Sequence, residues 1–223
     1  MSCTMSISIE PVVFTDDAAE SYTEGTMEVL DPVYDFFAAE IAKLAGKNAR
    51  ILDVGTGHGI VIGKVARLTG AETVGVDASP CILRKARAAY PHTSFQVHDA
   101  SRLGFGDNSF DIVFSTLAFH HFDKPSALKE MLRVLKPSGT LIIFDFDGRI
   151  HPVLFASLLL RSGKNIARAI PILGWGIDSV FHSIYEEAFT ELLSGLDHKI
   201  ERHGMFLKIT ASKENGPVPG KGG

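Results

Sequence analysis

The chain has 223 residues, 45% of them hydrophobic, with 15 Phe and one Trp, which is enough apolar mass for one packed core and favours a single domain. A formal net charge of -4 gives no overall basic field, so nucleic acid is not an expected partner. Cys3 and Cys81 make neither a disulfide framework nor a metal-ligand spacing, and the leading "MSCTMSISIEPVVF" puts no basic residue before an apolar core, so a cytoplasmic protein acting on a small molecule is expected.

In chain order, residues 1–47 read as an N-terminal helical cap, with helical patterning from about residue 16. An apolar strand over Arg50–Val54 then runs into Gly55, Gly57 and Gly59, and a helix follows over His58–Leu68. Strands at Thr73–Val76, Thr93–Val97, Phe110–Ser115 and Thr140–Asp145 alternate with helices at Pro80–Ala89 and Pro125–Leu135. β-branched runs alternating with segments of helical period are the pattern of a parallel sheet covered by helices on both faces. After a helix at Glu186–Leu193 come strands at His198–Arg202 and Met205–Ala211. Only His203 and Gly204 separate them, too few residues for a crossover, so an antiparallel hairpin is expected to close the sheet. The domain is bounded at 48–211, with an insertion at 148–185 and a Gly- and Pro-rich tail at 212–223 expected to be disordered. No apolar run reaches the roughly 18 residues of a spanning helix.

The stretch "ILDVGTGHG" at 51–59 carries the first chemical signal. Glycines at a strand-to-helix turn let backbone N–H groups and a helix N-terminus approach a ligand closely, although such a turn also uses glycine simply to reverse direction. The dinucleotide fingerprint requires G-x-G-x-x-G, and here the sixth position from Gly55 is Ile60. A nicotinamide-linked oxidoreductase is thereby disfavoured.

Five segments, "LDVGTGHG", "VGVDAS", "FQVHDA", "FDIVFSTLAFHHF" and "LRVLKPSGTLII", together with the closing strand pair, resemble in order and spacing the class I S-adenosylmethionine-dependent methyltransferases. The likeness covers about residues 34–212 and is nearest to the small-molecule branch that includes the ubiquinone and menaquinone C-methyltransferases. It implies a Rossmann-like seven-stranded sheet, mostly parallel with an antiparallel last strand. The cofactor it implies is S-adenosyl-L-methionine, and the activity is methyl transfer to a small-molecule acceptor, which the long apolar face of the segment near 153–170 leads us to expect to be largely apolar. Asp77 would accept hydrogen bonds from the ribose diol, with Ala78 beside it. Asp99 would meet the adenine amino group, with Ala100 adjacent. Asp53 would face the methionine ammonium, Gly55 and Gly57 would line its carboxylate and sulfonium end, and Ser115 would lie at the edge of the same site. Asp77 and Asp99 can also be read as helix N-caps.

His120 and His121 follow the fourth strand at the carboxyl edge, where open α/β sheets place ligands, and either could act as a general base. They can equally shape the loop. His58, inside the glycine turn, is expected to face solvent. In the insertion, Ser157, Arg161, Lys164 and Arg168 share one helical face opposite an apolar one; this is the pattern of a substrate lid, of plain packing, or of peripheral membrane contact through 149–175. A non-catalytic S-adenosylmethionine-binding regulator or partner subunit would keep the glycine turn and Asp77 without a closed substrate chamber. Oligomeric state is not encoded in any of these patterns.

Overall fold

The computed structural model describes residues 30–147 and 186–213. The insertion at 148–185, the basic pattern at 149–175, the first 29 residues and all but the first two positions of the expected tail lie outside the described residues. Helix α1 occupies residues 30–42. It is followed by β1 (Arg50–Val54), α2 (Ile60–Thr69), β2 (Glu72–Asp77), α3 (Pro80–Ala89), β3 (Ser94–Val97), β4 (Phe110–Thr116), a 3₁₀ turn (Phe119–His121), α4 (Lys124–Val134) and β5 (Leu135–Phe146). Helix α5 (Glu186–Leu192) and the strands β6 (Asp197–His203) and β7 (Phe206–Ser212) complete the described elements.

The seven strands form one sheet in the order β3-β2-β1-β4-β5-β7-β6. Pairings from β3 through β5 are parallel. β7 runs antiparallel to both β5 and β6, so the hairpin expected at the end of the chain is the way the sheet closes. Strands buried on both faces read as continuous apolar runs. Accordingly, Ile51, Leu52 and Val54 of β1 are all buried. Successive side chains go to opposite faces, and two cores result. Ile51, Ile112, Phe114, Ile142 and Phe144 pack under α1, α2 and α3, whereas Leu52, Val54, Val113, Leu141 and Ile143 pack under α4 and α5.

Helix α1 is part of this packing. Leu30, Tyr34, Phe37, Ala38 and Ile41, spaced to share one helical face, are all buried in the first core. The Phe37 ring stacks on Phe144 of β5 with centroids 4.4 Å apart, and Lys208 Nζ of β7 donates to Glu40 Oε2 at 2.7 Å. Removing an aromatic ring buried like Phe37 costs about 3–5 kcal/mol. The described part of the expected cap is therefore integral to the sheet's cover.

Boundaries differ modestly from expectation. α4 ends at Val134 because the residues preceding Pro137 leave helical backbone, and β5 starts at Leu135, its register against β4 shifting between the pairs Phe110–Leu135 and Ile112–Thr140. β7 continues through Ser212, which pairs with Thr140 and Asp197, one residue into the expected tail. From β1 the chain builds outward through β2 to β3 and then returns to β4 on the other side of β1. This reversal of strand order opens a crevice at the carboxyl ends of β1 and β4.

Candidate active site

The crevice holds a cavity of about 220 Å³. Its floor is the glycine turn. Gly55 N and Thr56 N both donate to Val76 O, at 2.8 and 2.9 Å, which straps the turn to the end of β2. Gly55 has φ +76°, and a side chain there would run into Ala118 Cβ at 2.6 Å and the Phe122 ring at 2.8 Å, so glycine lets the post-β4 loop close over the turn. Gly57 has φ +52°, and a Cβ there would meet nothing within 4 Å. Its missing side chain leaves open space on the cavity wall.

Asp77 stands at the end of β2. Its Oδ2 accepts from Gly57 N at 3.0 Å and its Oδ1 from Ser79 N at 2.9 Å, and the carboxyl lines the cavity. Burial pushes the Asp77 carboxyl above its ordinary range, against the lowering by the Ser79, Gly57 and Ala78 backbone donors. Asp53, 1% exposed, lies beneath the turn. Thr56 Oγ1 donates to its Oδ2 at 2.7 Å, whereas its Oδ1 has no partner among the described residues. Burial pushes the Asp53 carboxyl up to about 8, the Thr56 hydrogen bond opposes the shift, and the Asp77 charge adds to it. An ionised carboxyl beneath the glycine turn would favour a cation in the cavity above it through its charge, without lining that cavity itself.

Of the residues expected from sequence, Gly55, Gly57, Asp77, Ala78, Asp99, Ala100 and His121 line the cavity together. Asp99 Oδ1 is engaged by Ser101 N and Ser101 Oγ, both at 2.7 Å, within a local turn bridged to Arg102; no helix starts there, so the helix-cap alternative does not hold. Asp53, Ser115 and His120 do not line the cavity. Ser115 is fully buried with an Oγ that has no partner among the described residues, and the neighbouring Thr116 reaches the wall instead. His58 is not solvent-facing: it is 7% exposed and lines the cavity, because the turn folds back over the sheet edge.

The paired histidines separate. His120 is buried, with Nδ1 2.7 Å from Asp145 Oδ1, while His121 contributes to the cavity wall. Leu117, with the rare φ of +54°, Ala118 and Phe122 complete an apolar wall beside His121. A bulky residue in left-handed backbone costs about 1–3 kcal/mol and is concentrated at functional corners. Tyr34 of α1 and Ile82 of α3 close the rest. None of these could be picked from sequence, since their only local signal is apolar character. Among the described residues no group of His, Cys, Asp or Glu is arranged to hold a metal ion, and none of their helices is long and apolar enough to cross a membrane.

Comparison with known proteins agrees with this geometry. Residues 52–143 match the family of methyltransferase domains. The chain is 30% identical over 155 residues to a demethylmenaquinone methyltransferase of Chlorobaculum parvum, covering 66% of this chain and 64% of that protein. It is 41% identical over 123 residues to the demethylmenaquinone methyltransferase of Thermus thermophilus, covering 49% and 56%. The chain thus spans less than two thirds of the length of these curated relatives. In fold it resembles the TehB-like methyltransferase of Corynebacterium glutamicum, with a TM-score of 0.66 at 19% identity over 90% of this chain and 100% of that one. The residues present fit S-adenosylmethionine: open space at Gly57 and the acidic Asp77 and Asp99 on the cavity wall would hold it, with Asp53 beneath the turn. Residues 52–143 thus match the methyltransferase domain family, and the sheet order is that of the fold the chain shares with the TehB-like methyltransferase.

Proposed function

We propose that the protein transfers a methyl group from S-adenosylmethionine to a small, largely apolar acceptor with a hydroquinone-like ring. The observation that carries this reading is that the glycine turn, Asp77 and His121 share one cavity with an apolar wall of Leu117, Ala118 and Phe122. Bound in the crevice, the cofactor supplies an electrophilic methyl group on a sulfonium that is already a good leaving group. The chain's task is then alignment and exclusion of water. Asp77 accepts from the ribose diol, Asp99 meets the adenine edge, and Asp53 balances the ammonium. Gly55 lets the post-β4 loop close over the turn, and Gly57 leaves the cavity wall open for the cofactor.

A phenolic acceptor holds its proton near neutral pH, and His121, on the cavity wall, is the group that removes it. The relatives named for demethylmenaquinone and the apolar wall support the acceptor class. The alternating basic and apolar pattern at 149–175 supports a lid or a lipid-facing edge suited to such a substrate, and a two-cysteine composition accords with a cytoplasmic setting.

The test is transfer of isotope-labelled methyl from S-adenosylmethionine to a panel of reduced naphthoquinols and benzoquinols alongside small polar amines and acids. Turnover confined to the quinols is expected. Turnover confined to the polar panel would overturn the acceptor class, and donor binding without transfer to any acceptor would turn the reading toward a regulator.

A further inference from the structure

Asp145, near the end of β5, was not marked by any sequence motif, yet it is the centre of the most buried polar cluster in the described structure. Its carboxyl group meets three N–H groups. Oδ1 lies 2.7 Å from His120 Nδ1 and accepts from Phe146 N at 2.8 Å, and Oδ2 accepts from His120 N at 2.8 Å. Both side chains are completely buried. The backbone bond from His120 fixes the 3₁₀ turn to β5, and the side-chain bond fixes the ring. With Oδ1 as acceptor, Nδ1 carries the proton and Nε2 is left as the free lone pair.

That Nε2 is buried and has no partner among the described residues. The ring does have a close neighbour: its centroid is 3.9 Å from that of His121, with the planes at 49°. In a 3₁₀ turn consecutive side chains diverge by about 120°, so the ring that is locked inward and the ring on the cavity wall belong to adjacent residues resting on each other.

Resting on the methyl-transfer reading above, we infer that Asp145 is a positioning residue for the reaction. It holds the His120 ring, His120 supports the His121 ring, and the reach of His121 into the cavity is thereby set. Asp145 itself touches no reacting group. The consequence is specific: loss of the Asp145–His120 bond lowers the rate of the chemical step while the cofactor groups at Asp77 and Gly57, on the opposite side of β1, stay in place.

The experiment uses the full chain with two substitutions. Asp145→Asn must set its NH₂ against either His120 N–H or His120 Nδ1, so the ring changes tautomer or position. His120→Asn keeps an N–H donor close to where Nδ1 was, leaves Asp145 partnered, and deletes the remainder of the ring under His121. In each folded variant kcat is expected to fall about ten- to a hundredfold, the size of effect that loss of alignment produces, with the Michaelis constant for S-adenosylmethionine within about twofold of wild type. Long-range ¹H–¹⁵N spectra of the histidine rings should show His120 in the Nδ1–H form in wild type, and the His121 resonances should move in both variants. Wild-type kcat in either folded variant would overturn the inference. If the wild-type protein transfers methyl to no acceptor, the proposed function fails by itself, and the ring spectra alone decide the coupling: displaced His121 signals support it, and unmoved signals in both variants overturn it.

Discussion

If Asp53 balances the donor's ammonium as proposed, it links cofactor binding to a proton. Burial holds its carboxyl at about 8, so at pH 7 roughly nine molecules in ten carry a proton there when no cofactor is bound. Balancing the donor's ammonium would require the ionised form. Binding at pH 7 should therefore release about 0.9 proton, and between pH 6 and pH 7 the affinity should rise almost tenfold, since a shift of one pKa unit corresponds to about 1.4 kcal/mol. Above about pH 8 the gain ends, because Asp53 is already ionised and the donor's own amino group begins to lose its proton. Calorimetry in buffers of different ionisation enthalpy measures the released proton directly. Asp53→Asn keeps an acceptor for Thr56 Oγ1 but cannot titrate, so its proton release should vanish and its affinity should be flat from pH 6 to pH 7. The same shift sets a stability trend: a carboxyl whose folded pKa is raised stabilises the cofactor-free fold fully below about pH 4 and progressively less as pH rises toward 8, so melting temperature should fall across that window and fall less in Asp53→Asn. Wild-type release below about 0.2 proton, or release undiminished in Asp53→Asn, would refute the reasoning.

The strand-end carboxylate is tested by Asp77→Ala, which should weaken donor binding by about 2–3 kcal/mol, roughly thirty- to a hundredfold, because a charge-assisted pair to the diol is lost; calorimetry on the folded variant checks it. The two turn glycines should respond differently. Gly55→Ala adds a collision with Ala118 and Phe122 to left-handed strain and should cost about 2–4 kcal/mol in denaturant unfolding, while Gly57→Ala should cost only about 1 kcal/mol of stability yet lower donor affinity at least about tenfold by filling cofactor space. Glu40, held down to about 2 by its hydrogen bonds with Lys208 and Lys43, ties α1 to β7; its contribution is present above about pH 4.5 and is lost as pH falls toward 2. Glu40→Gln should therefore destabilise the protein at pH 7 by about 1–2 kcal/mol, allowing for solvent screening, and the difference from wild type should shrink on acidification.

The sheet was legible in sequence because what makes a strand or a helix is local. The β-branched runs at Ile51–Val54 and Val74–Val76, the turn at Gly55–Gly59, and Pro80 opening α3 all report their own backbone through neighbours a few residues away. Asp77 could be chosen the same way, since it closes β2 and strand ends converge on one edge, whereas Ala78, Asp99 and Ala100 follow from the resemblance of their segments. What neighbours cannot encode is which face a residue finally meets. His120 and His121 are indistinguishable in sequence, and the 3₁₀ turn sends one into the core and the other to the cavity. Ser115 and Thr116 are divided in the same manner by the alternation of β4. Tyr34 reaches the site from α1 because Phe37 and Ile41 bury that helix on the sheet. Asp145 meets His120 across 25 positions of chain only because β5 pairs with β4. The elements are written in short-range periodicity, whereas the partners, the burial and the shifted carboxyls depend on strand order and on the low dielectric of a packed interior, which exist only once the chain has folded.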